Sequence, residues 1–186
     1  MTGAGLSVAS GIPDFRTPGT GVWANVDTQS VATIGVFRRD PARFWAFYRD
    51  RLDCFDRVEP NPGHYAIAAL QQAGVLKALI SQNIDGLHQK AGSTDVIEVH
   101  GTTRTLTCTG CDRRYRRADR DRLFDDAGVA RCEDCSAAVK PDTILFGEML
   151  PDCFTTAASE AAQADLMICA GSSTAAWSSL PATGPT

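Results

Sequence analysis

The sequence predicts an α/β fold built on a parallel sheet, with a small metal-stapled lobe attached. Three observations predict it. Strand-like apolar runs alternate with polar turns and helix-like segments along the chain. The polar clusters fall at the carboxyl ends of those runs, where parallel sheets receive their ligands. Two C-x-x-C pairs, with 20 residues between them, stand apart from this rhythm.

Composition narrows the class. The chain has 186 residues, enough for one domain or one domain with a small insert. Apolar residues at 44% and charged residues at 22% match a globular protein and exclude a disordered tail. Eighteen Lys and Arg against 22 Asp and Glu leave a net charge of -4, which argues against a chain built mainly to bind nucleic acid. No run approaches the roughly 20 apolar residues of a membrane span. The N-terminus lacks the regions of a signal peptide, so a cytoplasmic location is expected.

The elements follow in order. Gly3-Ala4-Gly5-Leu6-Ser7 is a glycine turn through which a backbone can approach a diphosphate. Val8 breaks the full G-x-G-x-x-G spacing and no strand precedes the turn, so a simple turn stands beside that reading. Phe44 to Tyr48 suit the inward face of an amphipathic helix, with Arg49, Asp50 and Arg51 outward. Asn61-Pro62 opens a helix that Gly74 stops, with Ile67 and Leu70 on its apolar face. Strands are expected at 75–80, running into Gln82-Asn83-Ile84-Asp85; at 96–99, ending at His100; and at 143–146, ending at Gly147. An alanine-rich helix over 153–164 and a strand over 166–170 lead to Gly171-Ser172-Ser173.

With no export signal, a disulfide framework is not expected of the seven cysteines. Cys108, Cys111, Cys132 and Cys135 instead form two knuckles whose sulfurs can converge on one tetrahedral zinc ion. Redox chemistry is the competing reading, but it needs only one pair in a thioredoxin-like setting. Four thiolates leave no open coordination position, so the ion is structural. The segment between the pairs carries six arginines over 112–122. It reads as a solvated face of the lobe, with an acidic-partner or nucleic-acid patch as the alternative.

The ordered set GAGLSVASGIPDFR from Gly3, QNIDGLH from Gln82, EVHG from Glu98, the two cysteine pairs, FGE from Phe146 and GSS from Gly171 resembles the sirtuins. These are NAD-dependent protein lysine deacylases, and the match spans residues 2 to about 173. The resemblance implies a Rossmann-like NAD-binding domain formed by 1–19, 59–103 and 142–186. It implies a helical insert over 20–58 and a zinc lobe over 104–141, with acylated-lysine proteins or peptides as substrates. An acyl carbonyl then attacks the anomeric carbon of the nicotinamide ribose. His100 acts as the base on a ribose hydroxyl, a task that suits an imidazole with an ordinary pKa of about 6.5. Asn83 and Asp85 hold the ribose and carboxamide, and Gln82 contacts the ribose.

Gly3, Ala4, Gly5 and Ser7 line the cofactor site on this reading, while Gly171, Ser172 and Ser173 form the later phosphate- and ribose-binding turn. Asp14, Phe15 and Arg16 belong to the cofactor loop, where Phe15 shields the reacting centre from water. Phe146, Gly147 and Glu148 receive the substrate backbone as an added strand. Tyr48 and Arg51 have the Tyr-x-x-Arg spacing of sirtuins that remove succinyl or malonyl groups, since a guanidinium clamps a carboxylate. Acetyl-lysine is the default substrate. ADP-ribosyl transfer and a catalytically silent acyl-lysine-binding fragment are the alternatives. His88 is assigned a structural role and His64 a surface or packing one. Against the family pattern the chain reads as truncated at both ends: no first strand, and no recognisable strand or helix periodicity after Ser173.

Overall fold

The computed structural model describes residues 1–14, 27 and 30–172. Leu79–Ser81 (β1) and Val96–Glu98 (β2) pair in parallel, with Leu79 opposite Val96 and Ser81 opposite Glu98. Thr2 bridges Ser81 on one side and Ala170 on the other, both in parallel. Its N–H donates to the Ile80 carbonyl at 2.8 Å, and its own carbonyl accepts from Gln82 at 3.0 Å. The residue before the glycine turn therefore does enter the sheet, contrary to the expectation that no strand leads into it.

Three expected strands change extent. Only Leu79–Ser81 of the 75–80 run pairs, because Val75 is 68% exposed and the buried triplet starts at Leu79. The 166–170 run contributes a single bridge through Ala170, while Leu166 and Ile168 face solvent. The 143–146 strand is displaced to Val139–Thr143 (β5), whose alternate residues Val139, Pro141 and Thr143 are buried. Phe146 is exposed and makes one bridge to Thr33. β5 belongs to a separate antiparallel sheet, between it and Arg114–Arg116 (β4) lying the long strand Gly101–Cys108 (β3). Gly101 turns the chain from one sheet into the other at φ +71°, where a Cβ would lie 2.1 Å from the Asp142 carbonyl. Only glycine fits there.

Helices supply the remaining walls. Thr33 caps Ile34–Arg39 (α2) by accepting from Val36 N, and Asp40 caps Pro41–Arg57 (α3) by accepting from Arg43 N. Along α3, Phe44, Trp45, Tyr48, Leu52 and Phe55 are buried, the stripe expected of an amphipathic helix. They share one core with Leu106, Tyr115, Leu123, Val129 and Val139 of the antiparallel lobe. Trp45 Nε1 also donates to the Val139 carbonyl at 3.1 Å. A second core, formed by Met1, Ile80, Val99 and Ala157, seats Cys153–Gln163 (α6) on the parallel sheet, and the one-turn helix Leu87–Lys90 (α5) follows β1.

Pro62–Gln72 (α4) starts as expected at Asn61, which makes a reciprocal capping box with His64. The Asn61 amide also donates to the Leu6 carbonyl at 2.8 Å and to Ser10 Oγ at 3.0 Å, tying this helix to the glycine turn. Among the described residues no helix is long and apolar enough to cross a membrane. Leu52→Ala, which opens a void at a fully buried position joining α3 to the lobe, should lower the unfolding free energy by about 3 kcal/mol in urea denaturation.

Candidate active site and metal centre

Three segments meet at the carboxyl ends of the parallel sheet. Ala4–Ser7 (α1) is a single turn, and Gly5 N donates to the Gly171 carbonyl at 2.9 Å. Gly171 sits at φ +67°, with a Cβ-to-be only 2.0 Å from Leu6 N. A Cβ on Gly5 would lie 2.9 Å from Gly171 Cα, so the two turns touch backbone to backbone. That leaves a side-chain-free cradle facing the cavity, a surface suited to a diphosphate.

Below the cradle lies a buried polar knot. Ser7 Oγ donates to Asp85 Oδ2 at 2.7 Å and accepts from Asn83 Nδ2 at 3.1 Å. Asn83 Nδ2 also donates to the Gly3 carbonyl at 3.0 Å, and Asp85 Oδ1 accepts from Leu87 N at 2.8 Å. Ser7, Asn83 and Asp85 are each buried. Beneath them, Thr2 Oγ1 donates to Ser81 Oγ at 3.0 Å and lies 2.9 Å from His88 Nε2, while Ser81 Oγ accepts from Asn83 N at 3.1 Å. In the sequence, only His88 of this lower layer belongs to a motif. Thr2 and Ser81 carry no motif, and only the strand register reveals their convergence.

A cavity of about 990 Å³ opens above the knot. Ala4, Gly5, Asp14, Gln82, Gly171 and Ser172 line one side, and His100, Phe146, Gly147 and Glu148 line another. The size lies at the upper end of the roughly 300–1,000 Å³ of small-molecule sites. His100 stands exposed at its edge with Nδ1 3.0 Å from the Gln82 carbonyl. A carbonyl only accepts, so Nδ1 carries the proton and Nε2 is the basic nitrogen. Partial burial lowers the pKa of His100, and the Gln82 carbonyl offsets part of that shift. Asn83 and Asp85 line a small recess with Ser7 and Ile12.

Tyr48 and Arg51 both line the cavity. Tyr48 is buried, stacks on Phe44 with centroids 4.3 Å apart, and shares a hydrogen bond with Thr143 Oγ1 at 3.3 Å. Arg51 lies over the Phe47 and Phe55 rings instead of pointing outward, a correction to the simple amphipathic reading. Glu148 accepts from Leu145 N at 2.7 Å and pairs with Lys140, so its carboxylate fastens its own loop. Phe146 exchanges backbone hydrogen bonds with Ala32 and Ile34 at 3.1 Å each. His64 is fully buried, its ring 5.0 Å from that of His88. Phe15, Arg16 and Ser173 lie outside the described residues.

The four knuckle cysteines converge, every Sγ within 4.8 Å of the others. Cys108 and Cys135 are 3.4 Å apart, and Cys111 and Cys132 are 3.5 Å apart. The donor set fits a tetrahedral zinc ion with Zn–S bonds of about 2.3 Å. Tyr115 donates to Cys132 Sγ at 3.2 Å, which helps hold that thiol down at about 6. Cys111 accepts a backbone hydrogen bond from Arg113 that lowers its pKa, yet the neighbouring sulfurs push it up to about 12. Four sulfurs this close cannot all ionise without a cation between them.

Five of the six arginines in the segment are charge-paired, so it is not an open basic patch. Arg113 pairs with Glu133 and Asp134, Arg116 with Asp119, and Arg122 with Glu133. Arg117 and Arg120 turn inward onto Asp53 and Asp56 of α3, which corrects the reading of the whole segment as a solvated face.

A parallel α/β domain with a glycine cradle at its strand ends, joined to a four-cysteine lobe, defines a dinucleotide-binding protein stapled by a structural metal. The Sir2 family model matches residues 3–178. The NAD-dependent protein deacetylase of Saccharolobus solfataricus is 43% identical over 173 residues, covering 93% of this chain and 69% of that protein. The NAD-dependent protein deacylase of Pyrococcus furiosus is 41% identical over 176 residues, covering 93% of this chain and 70% of that protein. A solved Sir2–p53 peptide–NAD+ complex aligns with TM-score 0.82 and 38% identity, covering 92% of this chain and 68% of that one. Sir2Tm bound to a propionylated peptide aligns at TM-score 0.80 and 37% identity, with the same coverage of 92% and 68%. This chain belongs to the Sir2 family.

Two outcomes follow from the site's chemistry. Cys132→Ser should abolish retention of one zinc per chain in metal analysis and loosen the β3–β5 lobe. Stability should also fall in acid. Burial is the main cause that pushes His88 down to about 4, with His64 and the N-terminal amine adding to it. The unfolded chain therefore takes up a proton that the folded chain refuses. The resulting loss accrues as pH drops from about 6.5 to about 4 and totals on the order of 3 kcal/mol, measurable by urea titration across that range. His88→Gln should flatten this dependence.

Proposed function

We propose that this chain is an NAD-dependent protein lysine deacylase that moves the acyl group of an acylated lysine to ADP-ribose and releases nicotinamide. One observation carries the reading. The basic Nε2 of His100 stands at a cavity bounded by the glycine cradle and by the Phe146–Glu148 loop, with the Ser7–Asn83–Asp85 knot directly beneath.

Bound NAD supplies an electrophilic anomeric carbon and a nicotinamide leaving group. The chain's residues do the rest. The Ala4, Gly5, Gly171 and Ser172 turns receive the diphosphate. Asn83 and Asp85 orient the carboxamide and ribose, and Gln82 contacts the ribose. His100 withdraws a hydroxyl proton at Nε2, the imidazolium being stabilised by the Nδ1 bond to the Gln82 carbonyl. Asp14, Phe15, Arg16 and Ser173 complete the cofactor loop and turn by resemblance to the family. The acylated peptide lies along Phe146, Gly147 and Glu148. Cys108, Cys111, Cys132 and Cys135 would hold one structural zinc.

The discontinuous division into 1–19, 59–103 and 142–186, with inserts 20–58 and 104–141, follows the family resemblance; the smaller core lies wholly within the first three segments, while the larger joins both inserts to Ile12, Leu87 and Leu145. A cytoplasmic location suits a chain whose seven cysteines form no disulfide, four of them gathered at the metal centre.

Acetyl-lysine is the default substrate. Succinyl or malonyl removal is the second reading, favoured by the presence of both Tyr48 and Arg51 in the cavity wall. The zinc-loaded chain, given NAD with acetyl- and succinyl-lysine peptides in parallel, should yield deacylated peptide and acyl-ADP-ribose by mass spectrometry. His100→Ala should lower the rate by roughly 100-fold or more. Arg51→Met should cut succinyl turnover selectively if that group is the preferred one, and should affect both peptides alike if it is not.

The pH profile follows from His100. The neutral ring is the active form and its pKa is lowered, so activity should persist below pH 6.5 and fail only in more acidic solution. An acid limb above 6.5 would contradict this assignment.

A further inference from the structure

Arg117 joins three parts of the molecule that are remote in sequence. It opens the 3-10 helix Arg117–Leu123 of the zinc lobe. Its Nε pairs with Asp56 of α3 at 2.8 Å. Its Nη1 donates to the Asp85 carbonyl at 3.2 Å and to Thr103 Oγ1 at 2.9 Å. Arg120 completes the junction by pairing with Asp53 and Asp56 and donating to the Arg117 carbonyl at 3.2 Å. Asp56 is thus shared by two guanidinium groups, which fixes the plane of the Arg117 fork.

The consequence falls on the loop above β1. Both carboxylate oxygens of Asp85 are held, by Ser7 and by Leu87 N, and Arg117 holds its carbonyl. The preceding carbonyl, of Ile84, accepts from Thr103 N at 3.2 Å and from Thr103 Oγ1 at 2.5 Å. Two successive carbonyls are therefore clamped by one Arg–Thr pair reaching in from the lobe side. A planar guanidinium can do this because separate nitrogens address the carboxylate and the carbonyl. A lysine can keep the Asp56 pair but cannot direct fixed donors both ways.

We infer that Arg117 is a positioning residue through which the zinc lobe and α3 set the geometry of the Asn83–Asp85 loop. The inference rests on the reading of Asp85 as a nicotinamide contact. The neighbouring Arg116, paired with Asp119 and with a largely exposed side chain, has no such reach.

The test compares the full zinc-loaded chain with Arg117→Met, Arg117→Lys and, as control, Arg116→Met. Amide hydrogen exchange over residues 84–87, zinc content, and KM and kcat for NAD and acyl-peptide are measured for each. Both Arg117 variants should keep one zinc per chain. Exchange at the Leu87 amide should speed up, and KM for NAD should rise, each roughly tenfold, with peptide KM within about twofold. Arg116→Met should match wild type. Unchanged exchange over 84–87 in folded Arg117→Met would overturn the inference. So would an equal loss in every parameter with faster exchange throughout both Arg117 variants, which marks a purely structural role. If wild type consumes no NAD, the deacylase reading fails, and the exchange comparison still decides the role of Arg117.

Discussion

The Ser7 hydroxyl, donating to Asp85 and accepting from Asn83, is the contact on which the site depends. It sits where three buried polar side chains would each carry a desolvation penalty if left alone. One hydroxyl satisfies a carboxylate oxygen and an amide hydrogen together, so the arrangement has a single low-energy form. It also closes the glycine turn onto the loop above β1. Gly5 and Gly171 permit that closure, because any side chain at their contact would wedge the turns apart. The cradle, the recess and the position of His100 all follow from the same docking of residue 3–7 backbone against 82–85 and 171–172.

Two cores underlie the site. The smaller core seats α6 on the parallel sheet, and the larger joins α3 to the antiparallel lobe. Tyr48 and Leu145 of the larger core line the cavity, facing Gln82 and His100 just beyond the ends of β1 and β2. The zinc-type centre therefore stands away from the chemistry yet bears on it, since the lobe that it staples supplies both the β5 end of the wall and the Arg117 clamp. Charge follows function here. Most of the lobe's arginines are neutralised locally, and the two that turn inward are those that cross between elements.

Much of this was legible in residue order. The cysteine spacing was enough to indicate the metal centre, because two short knuckles can converge in few other ways. Asn61-Pro62 was enough to place the start of α4, because a side-chain cap and a fixed φ act within four residues. His100, Asn83 and Asp85 follow strand-like runs, a position that alone suits a structural role as well, and it is the resemblance of the QNIDGLH and EVHG motifs to the sirtuins that implies their function. What escaped depends on contacts remote in sequence. Thr2 carries no pattern of its own and gains its place only from Ser81 and Ala170 on either side. Val139–Thr143 holds Lys140, Pro141 and Asp142 and so reads less like a strand than the apolar 143–146 run, although Pro141 itself is buried in the sheet. Arg117 and Arg120 looked solvated because their partners, Asp53 and Asp56, lie more than sixty residues away.

The central claim is that Ser7 holds Asn83 and Asp85 as one unit for the cofactor. A double-mutant cycle of Ser7→Ala and Asp85→Asn, read by calorimetric NAD affinity, tests it most directly. The account predicts a coupling of about 1–3 kcal/mol between the two substitutions, as for groups in one hydrogen-bond network. Effects that add to within about 0.5 kcal/mol would mean that the two side chains act independently, and the knot would not be what organises the site.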